Sequence, residues 1–164
     1  MIYIFDLDHT LVHTDDEGIH IRPYAKCILN YLYKHKFEVG IWSTGLDSYV
    51  REVIDLLFKN KPLCVALARS DRNRLIDLKT NKTYRFPMKD GMIVKKIPFL
   101  LKHFKLDKNT ILIDDLQDNI RANSENHIYP IQEWRKTMKN DKELFVLLKH
   151  IKRSTRKNKY SYIV

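Results

Sequence analysis

Two aspartates, Asp6 and Asp8, close the apolar run Ile2-Tyr3-Ile4-Phe5 at the start of the chain. A second apolar run, Ile111-Leu112-Ile113, closes in Asp114-Asp115, and a third, Val39-Gly40-Ile41-Trp42, closes in Ser43-Thr44. Carboxylates are rarely buried unless they are paired or bind a metal. If the three runs are neighbouring strands, their ends crowd several negative charges and two hydroxyls into one place. Like charges that close cannot all stay ionised without compensation, and a divalent cation is the usual compensation. Oxygen ligands without a nearby His or Cys cluster point to magnesium rather than zinc. Magnesium held by a few carboxylates keeps open positions that phosphate oxygens fill, so the chemistry to expect is phosphoryl transfer.

The elements that must position these groups follow from the pattern around them. Residues 2–5, 37–42, 63–68, 110–113 and 128–131 read as short strands. The first and fourth are continuously apolar, as strands buried on both faces are. Between them lie amphipathic stretches at helical spacing. One opens at Arg22-Pro23 with Pro in its first turn and carries Cys27, Ile28, Tyr31 and Leu32 as its apolar stripe. Another carries Tyr49, Val50, Val53, Ile54 and Leu57, a third spans 98–104, and the last shows Leu144, Phe145, Leu147, Leu148 and Ile151. Residues 74–88 break the rhythm with two short alternating segments around Thr80-Asn81-Lys82, which predicts a β-hairpin. Alternating strands and helices predict an α/β fold with a mostly parallel sheet flanked by helices. In such sheets ligands bind beyond the carboxyl ends of the strands, which is where the polar groups fall.

With 164 residues the chain fits one domain, and 44% hydrophobic content is ordinary for a folded protein. The domain is expected over 1–153, with a β insertion at about 70–90 and a basic tail over 154–164. The two cysteines, Cys27 and Cys64, stand far apart without a CxxC pattern and read as buried free thiols of a reducing compartment. No apolar run reaches the length of a membrane span, and Asp6 and Asp8 interrupt the only candidate signal segment. A soluble intracellular domain of cytoplasm or nucleus is expected, a virus replicating there included among its sources. The net charge of +10 favours an anionic partner, although lysine spread over a whole chain is more often a solvated face.

Asp6-Leu7-Asp8-His9-Thr10 resembles the DxDxT signature of haloacid-dehalogenase-type phosphatases, in the branch acting on the carboxy-terminal domain of RNA polymerase II. DLDHTLVHT, Arg22-Pro23, IWSTGLDSYV, IVKKIPFL and ILIDDLQDN stand in that family's order and span most of the chain. The resemblance implies a Rossmann-like core with a short β-hairpin insertion in place of a large cap. It implies Asp6 as the nucleophile, Asp8 as the general acid and base, and Thr10 as the anchor of the loop. Ser43 would hold a phosphate oxygen, with Thr44 as the fallback, and Lys95 would neutralise the phosphate, with Lys96 and Lys89 as alternatives. Asp115 in particular, with Asp114, a carboxylate oxygen of Asp6 and the backbone carbonyl of Asp8, would hold Mg2+. Arg69, Tyr84, Arg85 and Phe86 are candidates for substrate contact, the hairpin aromatics having hairpin packing as an equal reading. Asp118 reads as a helix-start residue, and His9 stands where relatives carry Glu or Gln.

The substrate implied is a phosphoserine or phosphothreonine in a protein or peptide. Two alternatives stay open: a phosphatase of nucleic-acid ends, which the positive charge would suit, and a non-catalytic phosphoprotein-binding module of the same fold. The basic block Lys152-Arg153, Arg156-Lys157 and Lys159 reads as solvated helix and tail.

Overall fold

Strand β1, Ile2–Phe5, lies at the centre of the sheet, and its alternate side chains supply two separate cores. Tyr3 and Phe5 face a cluster with Ile28, Leu32, Val53 and Leu147, while Ile2 and Ile4 face another with Trp42, Ile97 and Leu112. Burial on both faces is why the run is apolar without alternation. The computed structural model that shows this describes residues 1–71 and 74–160, with side chains as far as Thr155.

The remaining elements follow in chain order: β2 (Val12–Asp15), β3 (Gly18–Ile21), α1 (Ala25–Lys34), β4 (Glu38–Leu46), α2 (Asp47–Leu57) and β5 (Ala66–Asp71). Next come β6 (Arg74–Asp77), β7 (Thr83–Arg85), β8 (Met88–Lys89), β9 (Met92–Ile93) and α3 (Ile97–His103). The chain closes with β10 (Thr110–Asp114), α4 (Gln117–Arg121), β11 (Ile128–Pro130) and α5 (Glu143–Tyr160). The main sheet has the order β11-β10-β1-β4-β5-β6-β7, parallel from β11 to β5 and antiparallel beyond. The fold is thus the expected mostly parallel α/β core, with the hairpin at Thr80-Asn81-Lys82 extending one edge of the sheet.

Several local expectations are corrected. Strand β4 does not end at Trp42 but runs on to Leu46, with a break in its register against β5 between those residues. Gly45 is needed there, because a Cβ would lie 2.8 Å from the Tyr49 ring. Helix α1 starts at Ala25, after Pro23, and buries Ala25, Ile28, Leu29 and Leu32; Cys27 is exposed and Cys64 only half-buried, so neither is the buried thiol expected. The last helix passes residue 153 to reach Tyr160; the side chains of Arg156, Lys157 and Lys159, and residues 161–164, lie outside the described residues. Two small hairpins, β2–β3 and β8–β9, were not expected. The second turns on Asp90-Gly91, both at positive φ (50° and 80°), the Asp-Gly chemistry of a two-residue hairpin loop. Among the described residues, no helix is long and apolar enough to cross a membrane.

Arg22 does more than precede a helix. All five of its N–H groups are used. Nε and Nη2 donate to the two carboxylate oxygens of Asp141 at 2.8 Å each, Nη1 donates to the carbonyls of His9 and Thr10, and Nη2 also donates to Gln132 O. The side chain is fully buried (0% exposed) and that of Asp141 nearly so (4%). Breaking such a pair strands a buried charge. Arg22→Met is therefore expected to destabilise the protein by about 3–5 kcal/mol in urea denaturation.

Candidate active site

The carboxyl ends of β10, β1 and β4 are adjacent, and they bring Asp114, Asp6 and Ser43 side by side as the sequence predicts. The fourth member arrives from elsewhere. Lys95, just ahead of α3, is 1% exposed, and its Nζ lies 2.6 Å from Asp6 Oδ1 and 2.8 Å from Asp114 Oδ2. Neither alternative lysine competes: Lys96 is exposed, and Lys89 pairs on the surface with Asp118 at 2.8 Å. Asp118 stands in the first turn of α4, as expected.

Burial opposes the charge of Lys95, yet the carboxylates of Asp114 and Asp6 outweigh it and hold its ammonium above the usual lysine range. Asp6 is pushed up from the usual carboxylate range by burial, pulled back by Lys95 and pushed up again by Asp114. Asp115 is likewise raised by burial and by Asp114. One ammonium thus faces three carboxyl groups.

Those three, Asp6, Asp114 and Asp115, present oxygens within 4.8 Å of one another, which is room for a shared cation. They are not equally free. Asp114 already serves three donors: Leu116 N–H at 2.9 Å and Asn119 Nδ2 at 3.0 Å on one oxygen, and Lys95 on the other. Asp115 accepts from Thr10 Oγ1, at 3.2 Å, and from its own backbone N–H. All ligands on offer are oxygens, the donor set that suits Mg2+.

Asparagine side chains on and after α4 hold the lysine by its backbone, a role the sequence reading missed. Asn119, 2% exposed, accepts from Lys95 N–H at 3.0 Å while donating to Asp114. Asn123 donates to Lys95 O at 2.7 Å and accepts from Ile97 N–H at 2.7 Å. Asn119 closes the ILIDDLQDN stretch, and nothing near either asparagine in the sequence points to Lys95.

Asp8 is half-buried and accepts a hydrogen bond from Tyr49 Oη at 2.5 Å, with Thr14 Oγ1 3.1 Å from the same hydroxyl. Burial and the Asp8 bond push the Tyr49 phenol well above its ordinary value, so it stays protonated and donates. The Ser43 hydroxyl oxygen accepts from Gly45 N–H at 2.9 Å, which leaves its own hydrogen to offer. His9 sits at φ 59°, its backbone N–H bonded to Val12 O and its Nδ1 donating to Trp134 O at 3.1 Å. It is a pin for the loop between Asp8 and Thr10.

A cavity of about 700 Å³ opens beside this cluster, lined by Thr44 and Asp115 at one end and by Arg69 and the β8–β9 hairpin further out. Phe86 and Tyr84 do not line it. Phe86 is 6% exposed and packs on Trp42 and Phe99, and the Tyr84 ring packs on Phe104 and His103, so their expected substrate contact is corrected to packing. Arg85 is exposed on β7 and likewise does not line it. A second acidic group, Asp15, Glu17 and His20, lies on the β2–β3 hairpin and is neutralised by Lys136, 2.5 Å from Asp15 and 2.7 Å from Glu17.

The sequence model of the NLI interacting factor-like phosphatases matches residues 1–161. The chain belongs to that family. Phosphatases of this haloacid-dehalogenase type generally use Mg2+, and the acidic cluster at Asp6 and Asp115 is compatible with such an ion. A search of curated proteins returned no significant match.

Proposed function

We propose that this NLI interacting factor-like phosphatase is a magnesium-dependent phosphomonoester hydrolase, acting through an aspartyl-phosphate on phosphoserine and phosphothreonine in proteins. The observation that carries the reading is the Asp6–Lys95–Asp114 arrangement, a buried carboxylate held at 2.6 Å by a cation that is itself anchored. Asp6 Oδ attacks phosphorus, and the bond from phosphorus to the substrate oxygen breaks. The Asp8 carboxyl gives its proton to that leaving oxygen, with Tyr49 Oη holding the carboxyl in place. Water then attacks the phosphorus, Asp8 takes its proton, and the bond to Asp6 breaks to release phosphate. Such a relay splits one difficult displacement into two, with Asp8 exchanging acid and base roles. Ser43 and the Lys95 ammonium face the phosphate oxygens.

Asp6 and Asp115, with the Asp8 carbonyl, would hold Mg2+, while Asp114 serves chiefly to anchor Lys95. When bound, the ion supplies electrostatic stabilisation of the phosphoryl oxygens. The test is turnover of an aryl phosphate and of a phosphopeptide panel, with Mg2+ and with EDTA. Hydrolysis is expected with Mg2+ and is abolished by EDTA, returning when Mg2+ is restored in excess. Phosphopeptides are expected to be turned over faster than 5′- or 3′-phosphorylated oligonucleotides. Absence of turnover on every substrate would instead revive the non-catalytic phosphoprotein-binding module.

A further inference from the structure

The cavity beside Asp115 is lined by basic and acidic side chains in equal number, but they are not equally engaged. Three basic side chains line it: Arg69 at the end of β5, Lys89 on the β8–β9 hairpin and Arg121 at the end of α4. The acids of its wall are already engaged. Asp118 is held by Lys89 at 2.8 Å, Glu133 is 3.2 Å from Arg135 Nε, and Asp115 belongs to the cation cluster. Arg121 bears on Asp118 only at range, and Asp118 is already matched by Lys89. Both guanidinium groups, those of Arg69 and Arg121, are exposed, and among the described residues neither is in an ion pair.

The rest of the wall mixes the polar Thr44, Gln117 and Asn119 with aliphatic side chains. Met92 and Leu116, 61% and 50% exposed, flank the opening with Ile93 and Val94 behind. No aromatic ring lines it among the described residues, so nothing there offers a base the stacking platform that single-stranded nucleic acid uses. A wall of mixed aliphatic and polar side chains, with two guanidinium groups outside any ion pair among the described residues, suits a peptide that carries an acidic side chain.

We propose that this cavity is a second anion subsite, in which Arg121, together with Arg69, receives an anionic side chain flanking the phosphorylated residue of the substrate. This rests on the phosphoprotein reading above. The anion is a carboxylate or a second phosphate, both of which a guanidinium binds through paired N–H donors.

Three phosphoserine peptides of equal length separate the possibilities: one with neutral flanks, one with glutamates and one with a second phosphoserine. For the wild-type protein kcat/KM is expected to be about fivefold higher for an anionic flank, carried mainly by KM and shrinking as salt is added. Whichever anionic peptide ranks first names the source of the anion. Arg121→Glu is expected to invert the order, and Arg121→Gln to flatten it. Equal kcat/KM for neutral and anionic peptides overturns the subsite, as does a preference that survives in Arg121→Glu. In either case aryl phosphate turnover persists and the phosphatase reading stands. A wild-type protein that turns over neither aryl phosphate nor any peptide overturns both, and a phosphorylated oligonucleotide preferred to all three peptides overturns the subsite in favour of nucleic-acid ends.

Discussion

Replacing Asp6 with asparagine is expected to abolish turnover of an aryl phosphate, by about 10⁴-fold or more, while the protein stays folded. The amide has the shape of the carboxyl group but cannot supply the nucleophilic oxygen, so no acyl-phosphate forms. The fold tolerates the change because Lys95 keeps Asp114 at 2.8 Å, and the backbone N–H of position 6 still donates to Ile113 O at 3.0 Å. Two measurements check it together: kcat with saturating Mg2+, and thermal unfolding of the same preparation. Acid-quenched wild-type protein, digested after mixing with substrate, should show an added phosphoryl group on the peptide containing Asp6, and the variant should show none. Full activity in Asp6→Asn would sink the mechanism.

Lys95→Met has the second large effect, and it falls on stability as well as on rate. Lys95 Nζ is an ammonium held between two carboxyl groups that are 8% and 0% exposed. Methionine fills a similar volume without the charge and leaves both carboxyl groups buried without their counter-charge, although Asp114 keeps Leu116 N–H and Asn119 Nδ2 as donors. Breaking a buried ion pair in this way costs about 3–5 kcal/mol. The lost stabilisation of phosphoryl charge costs turnover a further factor of about 10²–10³. Stability should return in part when Asp114→Asn is added, because the second change removes one stranded charge, and the activity should not. Equal destabilisation in the double variant and in Lys95→Met would show that the charge balance is not what holds this region. Urea denaturation of the two single variants and the double variant completes the cycle.

Much of this site was legible because its residues fall where strands end. The apolar run before Asp6 and the run before Asp114 each specify a strand buried on both faces, and the order β10-β1-β4 then brings their ends together. Lys95 was found by its place in IVKKIPFL, but only the structure separates it from Lys96, since one residue of slip in an irregular segment moves a side chain from the core to solvent. Phe86 and Tyr84 stayed open between substrate contact and packing because a hairpin aromatic facing substrate and one packed under the hairpin have the same local sequence. The two short hairpins escaped for different reasons. Residues 12–21 carry His, Thr and Asp in their strands, which weakens alternation, whereas Asp90-Gly91 was a turn signal that went unread. Asn119 and Asn123 act through backbone groups of Lys95 more than twenty residues away, a relation with no local pattern at all.

The place of β1 in the sheet sets how the enzyme should fail. Asp6 follows a strand flanked on both sides by parallel neighbours, β10 and β4, and the loop beyond it is tied by Arg22 to Gln132 and Asp141. No edge strand or frayed helix has to open before the nucleophile does. Displacing it means parting the middle of the sheet, so amide hydrogens of residues 3–6 belong with the slowest-exchanging class, opening only with the whole molecule. On heating, loss of activity should then coincide with global unfolding rather than precede it. The β8–β9 hairpin that lines the cavity is joined to α4 by the surface pair of Lys89 and Asp118 and leads through buried Ile93 and Val94 into Lys95, so it too should hold until that centre opens.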